Sequence, residues 1–366
     1  MSTFQARCTR AQEAMRRHGI DLLFVAPSSD MTYLMGQRGH LSERLTLLIV
    51  PANGTPLAIV PVLEAPGVRP AAAFFSISTW ADGSNPYALA RSLVGPGSAR
   101  IAVSDQMWST HLLHLQQEMP TSVFMPASPL LAPLRQVKDA DEIAILRRAG
   151  AAADAAFADI VATPLLGLTE RQVDKLVREA LLKHGHQRAE FSIVGSGPNS
   201  GSPHHDLSDR VLQAGDAVVF DFGGLMDNYA SDITRTIFLC EPGGQPPDEY
   251  RRVYETVRQA QEAAFQVIRP GVACQEIDRA ARRVITAAGY GEYFIHRTGH
   301  GLGLDGHEEP YMVEGNTLPL QAGMVFSDEP GIYLPGRFGV RIEDIVVVTE
   351  NGADRLNQAP REMIAL

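Results

Sequence analysis

Apolar runs alternate with amphipathic stretches along the first third of the chain. Four apolar segments predict β-strands. The second segment consists of two apolar runs joined at Asn53-Gly54, and this dipeptide predicts a hairpin turn between two strands. The strand segments are 21–27, 46–61, 74–80 and 100–104. Amphipathic spacing between them predicts helices at 5–18, 86–94 and 106–118. Residues 1–132 are therefore predicted to form a compact α/β domain.

A proline-rich segment, 125–142, predicts a linker between this domain and a second one that spans 133–366. The length of 366 residues agrees with two domains, because a domain usually holds about 150 residues. The second domain contains an approximate repeat. In each half a predicted helix lies between two glycines at the same separation, Gly167 to Gly185 and Gly271 to Gly289.

Residues 215–240 predict a β-hairpin with one aspartate on each strand. Asp221 lies inside the apolar first strand, and Asp232 lies on the second strand, beyond a turn at 226–228. A carboxylate inside an apolar strand is costly unless it is paired or binds a metal. The hairpin alone is equally consistent with a structural salt bridge to Arg235 and one exposed carboxylate.

The second half of the repeat carries acids at equivalent positions. When the two halves are aligned at an offset of 108 residues, Glu329 is the counterpart of Asp221. Glu343 lies near the counterpart of Asp232. Glu343 is predicted to share one face of a continuous strand, 339–348, with Arg341. Two halves related by an approximate two-fold axis would bring the four carboxylates to one centre.

A glycine-rich segment, 296–310, carries His296, His300 and His307. Glycines let the backbone approach a ligand closely, so these imidazoles are candidates to line a pocket. A second loop rich in glycine, proline and serine carries His204, and its alternative interpretation is a surface turn. A phosphate-binding loop is excluded, because the order of strand, G-x-G-x-x-G and helix is absent.

Four carboxylates and one imidazole suit two divalent metal ions with carboxylates bridging them. The oxygen-rich donor set favours Mn²⁺, and Co²⁺, Zn²⁺ or Fe²⁺ also fit. Two close metals lower the pKa of a bridging water and polarise the carbonyl that the water attacks. The sequence therefore predicts hydrolysis of an amide-like bond.

Composition and charge limit the kinds of partner that the chain is expected to bind and the cellular compartment in which it is expected. The net charge of −10 and a pI near 5.6 argue against nucleic acid, which needs clustered positive charge. No apolar run reaches a membrane-spanning length, and the N-terminus lacks an apolar signal region. Cys8, Cys240 and Cys274 are scattered, which indicates reduced thiols in a cytoplasmic protein and not metal ligands.

The motifs of the second domain resemble those of the M24 pita-bread metallopeptidases, and they match the Xaa-Pro dipeptidase (prolidase) and Xaa-Pro aminopeptidase branch most closely. The matching segments stand in the family's order at 220–223, 231–236, 299–308, 329–333 and 340–344. Segments 19–21 and 26–36 resemble a creatinase-type N-terminal domain. The resemblance implies an α/β (α+β) fold in which that domain precedes a pseudo-two-fold pita-bread catalytic domain.

The resemblance also implies roles for individual residues. It implies metal ligation by Asp221, Asp232, His300, Glu329 and Glu343. It implies catalytic roles for His204 near the leaving group or substrate carbonyl, for His307 on the substrate carbonyl, and for Glu329 as a proton shuttle. It implies a substrate pocket that includes Tyr229, His296 and Arg341.

One position departs from the family pattern. Some dipeptidases have an arginine after the HEEP segment that binds the substrate carboxylate, and this chain has Tyr311 there. Arg337, Arg38 and Arg44 are candidates to replace it. Without such an anchor a longer peptide could bind, which favours an aminopeptidase.

The leading hypothesis is a hydrolase with two divalent ions per subunit that cleaves the bond before proline in Xaa-Pro dipeptides. The alternative is an Xaa-Pro aminopeptidase acting on longer peptides. A creatinase-like amidinohydrolase or a non-enzymatic binding protein on the same fold would lose metal ligands, and a methionine aminopeptidase would normally lack the N-terminal domain. The resemblance also implies a homodimer.

Overall fold

The computed structural model describes residues 3–68, 74–95 and 97–366. The chain divides into two compact units, Met1–Arg135 and Gln136–Leu366. Among the described residues, no helix combines the length and the apolar character that a bilayer crossing requires.

The first unit is built on a six-stranded mixed sheet with strand order β4-β3-β2-β1-β5-β6. Its strands are β1 (Leu22–Val25), β2 (Leu47–Pro51), β3 (Leu57–Pro61), β4 (Ser76–Trp80), β5 (Arg100–Val103) and β6 (Val123–Pro126). Its helices are α1 (Thr3–His18), α2 (Ser29–Met35), α3 (Pro86–Val94), α4 (Ser109–Glu118) and α5 (Ser128–Gln136). The antiparallel pairing of β2 with β3 confirms the hairpin that Asn53-Gly54 predicts.

Two local predictions in this unit were wrong. The residues after the first predicted strand, for which no helix was predicted, form α2; the Ser28 hydroxyl caps it by accepting from the Met31 amide, and Gly36 ends it at a φ of 79°. The proline-rich segment contains part of β6 and all of α5 in place of a linker, although the division between the two units, after Arg135, lies within it. Pro126 ends a strand at the sheet edge, and Pro129 lies in the first turn of α5, where a missing amide proton costs little.

The second unit contains two five-stranded sheets, each with its own pair of helices, and one two-stranded sheet. Its helices are α6 (Ala140–Val161), α7 (Glu170–Lys183), α8 (Asp248–Val267) and α9 (Cys274–Ala287). Its strands are β7 (Arg188–Ser196), β8 (Ala217–Met226), β9 (Tyr229–Ala230), β10 (Ile233–Phe238), β11 (Gly299–Gly301), β12 (Glu308–Met312), β13 (Val325–Asp328), β14 (Gly331–Leu334), β15 (Phe338–Arg341), β16 (Asp344–Val348), β17 (Ala353–Arg355) and β18 (Ile364–Ala365).

The two sheets follow the repeat. One has the order β18-β10-β8-β7 and the other the order β12-β11-β13-β16-β17, and β14 pairs with β15 separately. In the first half, Phe157 of α6 and Val177 of α7 share a buried core with Phe220 of β8. In the second half, Ile277 of α9 lies in one core with Phe326 of β13. Each half therefore buries the apolar stripes of its helices against its own sheet.

The hairpin that carries the first two candidate ligands forms as predicted. Strands β8 and β10 are antiparallel, and Asp221 lies opposite Thr234. Asp227 and Asn228 form the tight turn with φ of 50° and 70°, the left-handed pair that a two-residue hairpin loop requires. Asp232 lies directly before β10.

The continuous strand predicted at 339–348 was wrong. It breaks at Ile342, because β15 pairs with β14 whereas β16 pairs with β13. Glu343 lies at the break, and its amide donates to the Thr234 carbonyl at 3.0 Å. This backbone bridge joins the first half to the second beside Asp221.

Candidate metal centre

The five side chains predicted to bind metal line one cavity of about 440 Å³. Asp221 lies in the middle of β8, and His300 lies in the short strand β11. The other three lie at strand ends, where the backbone leaves one sheet: Asp232 before β10, Glu329 after β13 and Glu343 between β15 and β16. Both halves of the repeat thus contribute ligands, as the sequence predicts.

The candidate ligand atoms form three overlapping groups. Asp221, Asp232 and Glu343 make up one group, and His300, Glu329 and Glu343 make up another. Asp232 and His300 form the third with His307. Within each group the nitrogen and oxygen ligand atoms lie within 4.8 Å of one another. Asp232, His300 and Glu343 each belong to two of the three groups, and Glu343 is the residue shared by the two groups that consist entirely of predicted ligands.

The His300 imidazole is oriented for metal binding. Its Nδ1 lies 3.1 Å from the Gly301 carbonyl, which can only accept, so Nδ1 carries the proton and Nε2 keeps its lone pair. Nε2 lies 3.3 Å from Glu329 and 3.8 Å from Asp232. Burial lowers the pKa of His300 to about 3, which keeps the ring neutral.

Crowded, buried carboxylates form the other side of the site. Burial, with the negative charges of Glu343 and Asp221, raises the pKa of Asp232 well above its usual range. Burial likewise raises the pKa of Glu343, with Glu329 and Asp221 adding to the effect. Burial raises the pKa of Glu329 to about 7. Such a cluster is unfavourable as free anions and becomes favourable beside divalent cations.

Hydrogen bonding leaves some of these carboxylate oxygens unused. The Thr234 hydroxyl donates to Glu343 at 2.6 Å, and the Ser327 hydroxyl donates to Glu329 at 3.0 Å. Asp232 Oδ1 and Glu343 Oε1 are buried and have no hydrogen-bond partner among the described residues. Buried oxygens without partners, together with an oriented neutral imidazole, fit the donor set of a divalent metal site.

Arg341 lies at the edge of the carboxylate cluster and forms a salt bridge with one of its members. Its guanidinium binds Asp221 at 2.5 Å and donates to the Tyr333 hydroxyl at 2.6 Å and to Thr234 at 3.0 Å. Arg235, which was the alternative partner for a hairpin aspartate, instead binds Asp344 at 2.6 Å. A salt bridge from Arg235 therefore does not account for Asp221 or Asp232.

Three further histidines line the same cavity. His296 donates from Nδ1 to the Arg297 carbonyl and accepts at Nε2 from the Tyr333 hydroxyl at 2.8 Å. Burial and the charge of Arg341 lower the pKa of His296 to about 3. His307 is exposed, and its ring centroid lies 3.7 Å from that of His300. His204 is also exposed and lines the cavity.

Two predicted substrate-binding residues do not line this cavity. Tyr229 is buried, and its hydroxyl donates to Glu142 at 2.8 Å. Arg337 is exposed and forms a salt bridge with Glu249. Arg44, in the first unit, binds Asp82 at 3.0 Å.

Sequence reasoning missed several residues of the cavity wall. Phe191, Ile193 and Arg297 line it, and Tyr333 contacts two of its residues. Arg297 directly follows His296, and Tyr333 lies within the matching segment 329–333, so both were identifiable from their neighbours. Phe191 and Ile193 belong to β7, and their position depends on its pairing with β8.

Comparisons with known proteins identify the family to which both parts of the chain belong. The model of metallopeptidase family M24 matches residues 144–350, and that of the creatinase/prolidase N-terminal domain matches residues 7–137. A protein of Mycobacterium bovis named probable dipeptidase PepE is 43% identical over 367 residues, 99% of this chain and 96% of that protein. The Xaa-Pro dipeptidase of Lactobacillus helveticus is 34% identical over 97% of each chain.

A solved structure gives the same result for the fold. The recombinant prolidase from Thermococcus sibiricus superposes with a TM-score of 0.94 at 38% sequence identity, and the match covers 100% of both chains. The predicted fold, a creatinase-like domain followed by a pita-bread catalytic domain, is thereby confirmed. The chain belongs to metallopeptidase family M24.

Proposed function

We propose that this chain hydrolyses the peptide bond before proline in Xaa-Pro dipeptides, with two divalent metal ions in each subunit. The observation that supports this most is the set of five metal-binding side chains around one cavity. The names of the two curated relatives, both dipeptidases, favour dipeptides over the longer substrates of an aminopeptidase.

Asp221, Asp232, His300, Glu329 and Glu343 would hold the metal ions. Four carboxylates among these five ligands favour Mn²⁺, and Co²⁺ or Zn²⁺ also fits. When bound, the metal pair supplies Lewis acidity that lowers the pKa of water and polarises a carbonyl.

Glu329 is suited to move a proton during the reaction. Its Oε1 accepts from Ser327, and no hydrogen bond from the described residues reaches Oε2. In the metal-free chain burial raises its pKa to about 7, so this carboxylate can hold a proton near neutral pH before a cation binds. We assign it the transfer of a proton from the attacking water to the leaving proline nitrogen.

His307 and His204 are assigned to the substrate. Partial desolvation at the cavity wall and the charge of Arg297 lower the pKa of His307, so its ring is neutral and can donate one hydrogen bond to the substrate carbonyl oxygen. His204 lines the same cavity and would contact the carbonyl or the leaving group. His296 and Arg341, linked through Tyr333, would form the wall of the substrate pocket.

A substrate panel tests the proposed function. The chelator-treated protein is supplied with Mn²⁺ and incubated with Xaa-Pro dipeptides and Xaa-Pro-Yaa tripeptides, and released residues are measured. We expect free proline from the dipeptides, at a higher kcat/KM than any cleavage of tripeptides. Faster removal of the first residue from tripeptides would make the protein an aminopeptidase, and no cleavage of either set would contradict the proposal.

Three further features stay proposals of the same kind. They are domain limits at 1–132 and 133–366, a homodimer, and a cytoplasmic location. The first rests on the sequence pattern, the second on the family resemblance and the third on the scattered cysteines. Size-exclusion chromatography with light scattering would test the homodimer.

A further inference from the structure

The proposed dipeptide substrate carries a carboxylate close to the bond that is cleaved. Consecutive Cα atoms are about 3.8 Å apart, so the C-terminal carboxylate of Xaa-Pro lies within one residue of the scissile carbonyl. A residue that binds this carboxylate must therefore line the same cavity as the metal ligands. This requirement rests on the proposed function and excludes Arg337, which does not line that cavity.

Among the described residues that line the cavity, two are arginines and none is a lysine. Arg341 is already neutralised, because it binds Asp221 at 2.5 Å and its other guanidinium contacts are taken by Tyr333 and Thr234. Burying one more anion beside it would compete with Asp221 for the same charge. Arg297 is the other arginine.

No carboxylate of the described residues forms a salt bridge with Arg297. Its guanidinium lies over the Tyr311 ring, 4.1 Å from the centroid, and one Nη atom lies 3.5 Å from Nδ1 of His307. The side chain is half-buried, so its charge is partly desolvated and its five donors are mostly unused. An unpaired guanidinium at a cavity wall is a binding site for a carboxylate.

The contact with Tyr311 explains the departure from the family pattern. Tyr311 occupies the position where some dipeptidases have their carboxylate-binding arginine. Here the tyrosine ring supports the guanidinium of Arg297 by a cation–π contact. A positive charge therefore lies beside residue 311. It belongs to Arg297, in the loop before β11, and not to a residue of β12 itself.

We propose that Arg297 binds the C-terminal carboxylate of the dipeptide substrate and that Tyr311 holds its guanidinium in the binding orientation. Arg297 then determines specificity for free dipeptides over blocked or longer peptides. A carboxylate can also come from an acidic side chain at the residue before proline, and the experiment separates the two sources.

The test compares Arg297→Met with the wild-type enzyme on Ala-Pro, Ala-Pro-amide and Glu-Pro-amide. We expect the variant to lose about 10- to 100-fold in kcat/KM on Ala-Pro, mainly through KM, because a charge-assisted hydrogen-bond pair is removed. Its loss in kcat/KM on Ala-Pro-amide should be at least tenfold smaller than its loss on Ala-Pro. Any electrostatic effect of Arg297 on His307 acts on both substrates equally, so it cancels in the comparison.

Controls keep the result specific. Arg283→Met, at an exposed arginine of α9 outside the cavity, should match the wild type on all three substrates. Arg297→Lys should recover part of the preference for the free carboxylate, and Tyr311→Leu should lose part of it. Equal losses on Ala-Pro and its amide would overturn the proposal, and a selective loss on Glu-Pro-amide would reassign Arg297 to the acidic side chain. A wild-type enzyme inactive on all Xaa-Pro substrates would refute the proposed function instead.

Discussion

Asp232 and Glu343 each keep one buried carboxylate oxygen without a partner among the described residues. In an ordinary core such groups cost about 1–3 kcal/mol each, because they lose water and gain no hydrogen bond. Their neighbours supply several more negative charges and only one cation, Arg341, which forms its salt bridge with Asp221. A folded chain tolerates this arrangement when the charges have another use, and the use proposed above is the binding of divalent metal ions.

Replacement of His307 tests the assignment of a catalytic hydrogen-bond donor. We expect His307→Ala to reduce kcat about 100-fold with a smaller change in KM, because one donor to a developing oxyanion contributes about 3 kcal/mol. The exposed His18→Ala serves as the matched control and should keep the wild-type kcat. An unchanged kcat in His307→Ala would remove this residue from the mechanism.

The candidate ligands could be identified from the sequence because each differs from the residue pattern around it. Asp221 interrupts an apolar strand, and three histidines occur within one glycine-rich loop. Arg297 does not differ in this way, since an arginine in a polar loop is ordinary. Its proposed role depends on its contact with Tyr311, which joins the segment before β11 to strand β12 and which periodicity does not encode.

For helices, strands and turns, the sequence predicts the features that depend on residues close together along the chain. The turn at Asp227-Asn228 and the hairpin at Asn53-Gly54 depend on left-handed backbone preferences, and both form. Helices α6 and α7 begin with capping boxes at Asp139 and Thr169, and α7 lies between Gly167 and Gly185 as predicted. Pairing partners over long distances are not encoded in this way.

The break at Ile342 is an example of that limit. Its flanking residues read as one apolar strand, yet β15 and β16 belong to different sheets. The break lets Glu343 bond to Thr234 across the two halves while Arg341 reaches Asp221. Only the tertiary pairing shows that this crossing, and not strand alternation, places Glu343 at the centre.

At the scale of the whole molecule, the second unit combines two similar halves. Neither half contains the complete set of candidate metal ligands. Asp221 and Asp232 come from the first half, and His300, Glu329 and Glu343 come from the second. Each half buries its own core, and the candidate ligands of both halves line one cavity. The weak repeat in the sequence predicted this convergence, because equivalent strands in both halves carry acids.

The pH dependence of metal affinity follows from the protonation of the folded, metal-free chain. Below about pH 7 Glu329 holds a proton that must leave before a cation binds, and Asp232 and Glu343 also have raised pKa values. We therefore expect Mn²⁺ affinity to rise with pH from 5.5 to 8. Neutral His300, with its pKa lowered to about 3, contributes no proton in this range.

Isothermal titration calorimetry in buffers of different ionisation enthalpy measures both the affinity and the protons released. Glu329→Gln should reduce the number of protons released near pH 6, whereas the exposed Glu350→Gln should not change it. Mn²⁺ affinity that is constant from pH 5.5 to 8 would contradict these raised pKa values.

The most direct measurement is a metal titration of the chelator-treated wild-type protein, with bound Mn²⁺ and proline release from an Xaa-Pro dipeptide followed in the same samples. We expect activity to appear with metal uptake and to level off at two ions per chain. Asp232→Asn should bind less metal and lose activity while keeping the wild-type circular dichroism spectrum. Full turnover by the metal-free protein, or by Asp232→Asn, would contradict the assignment of this metal centre.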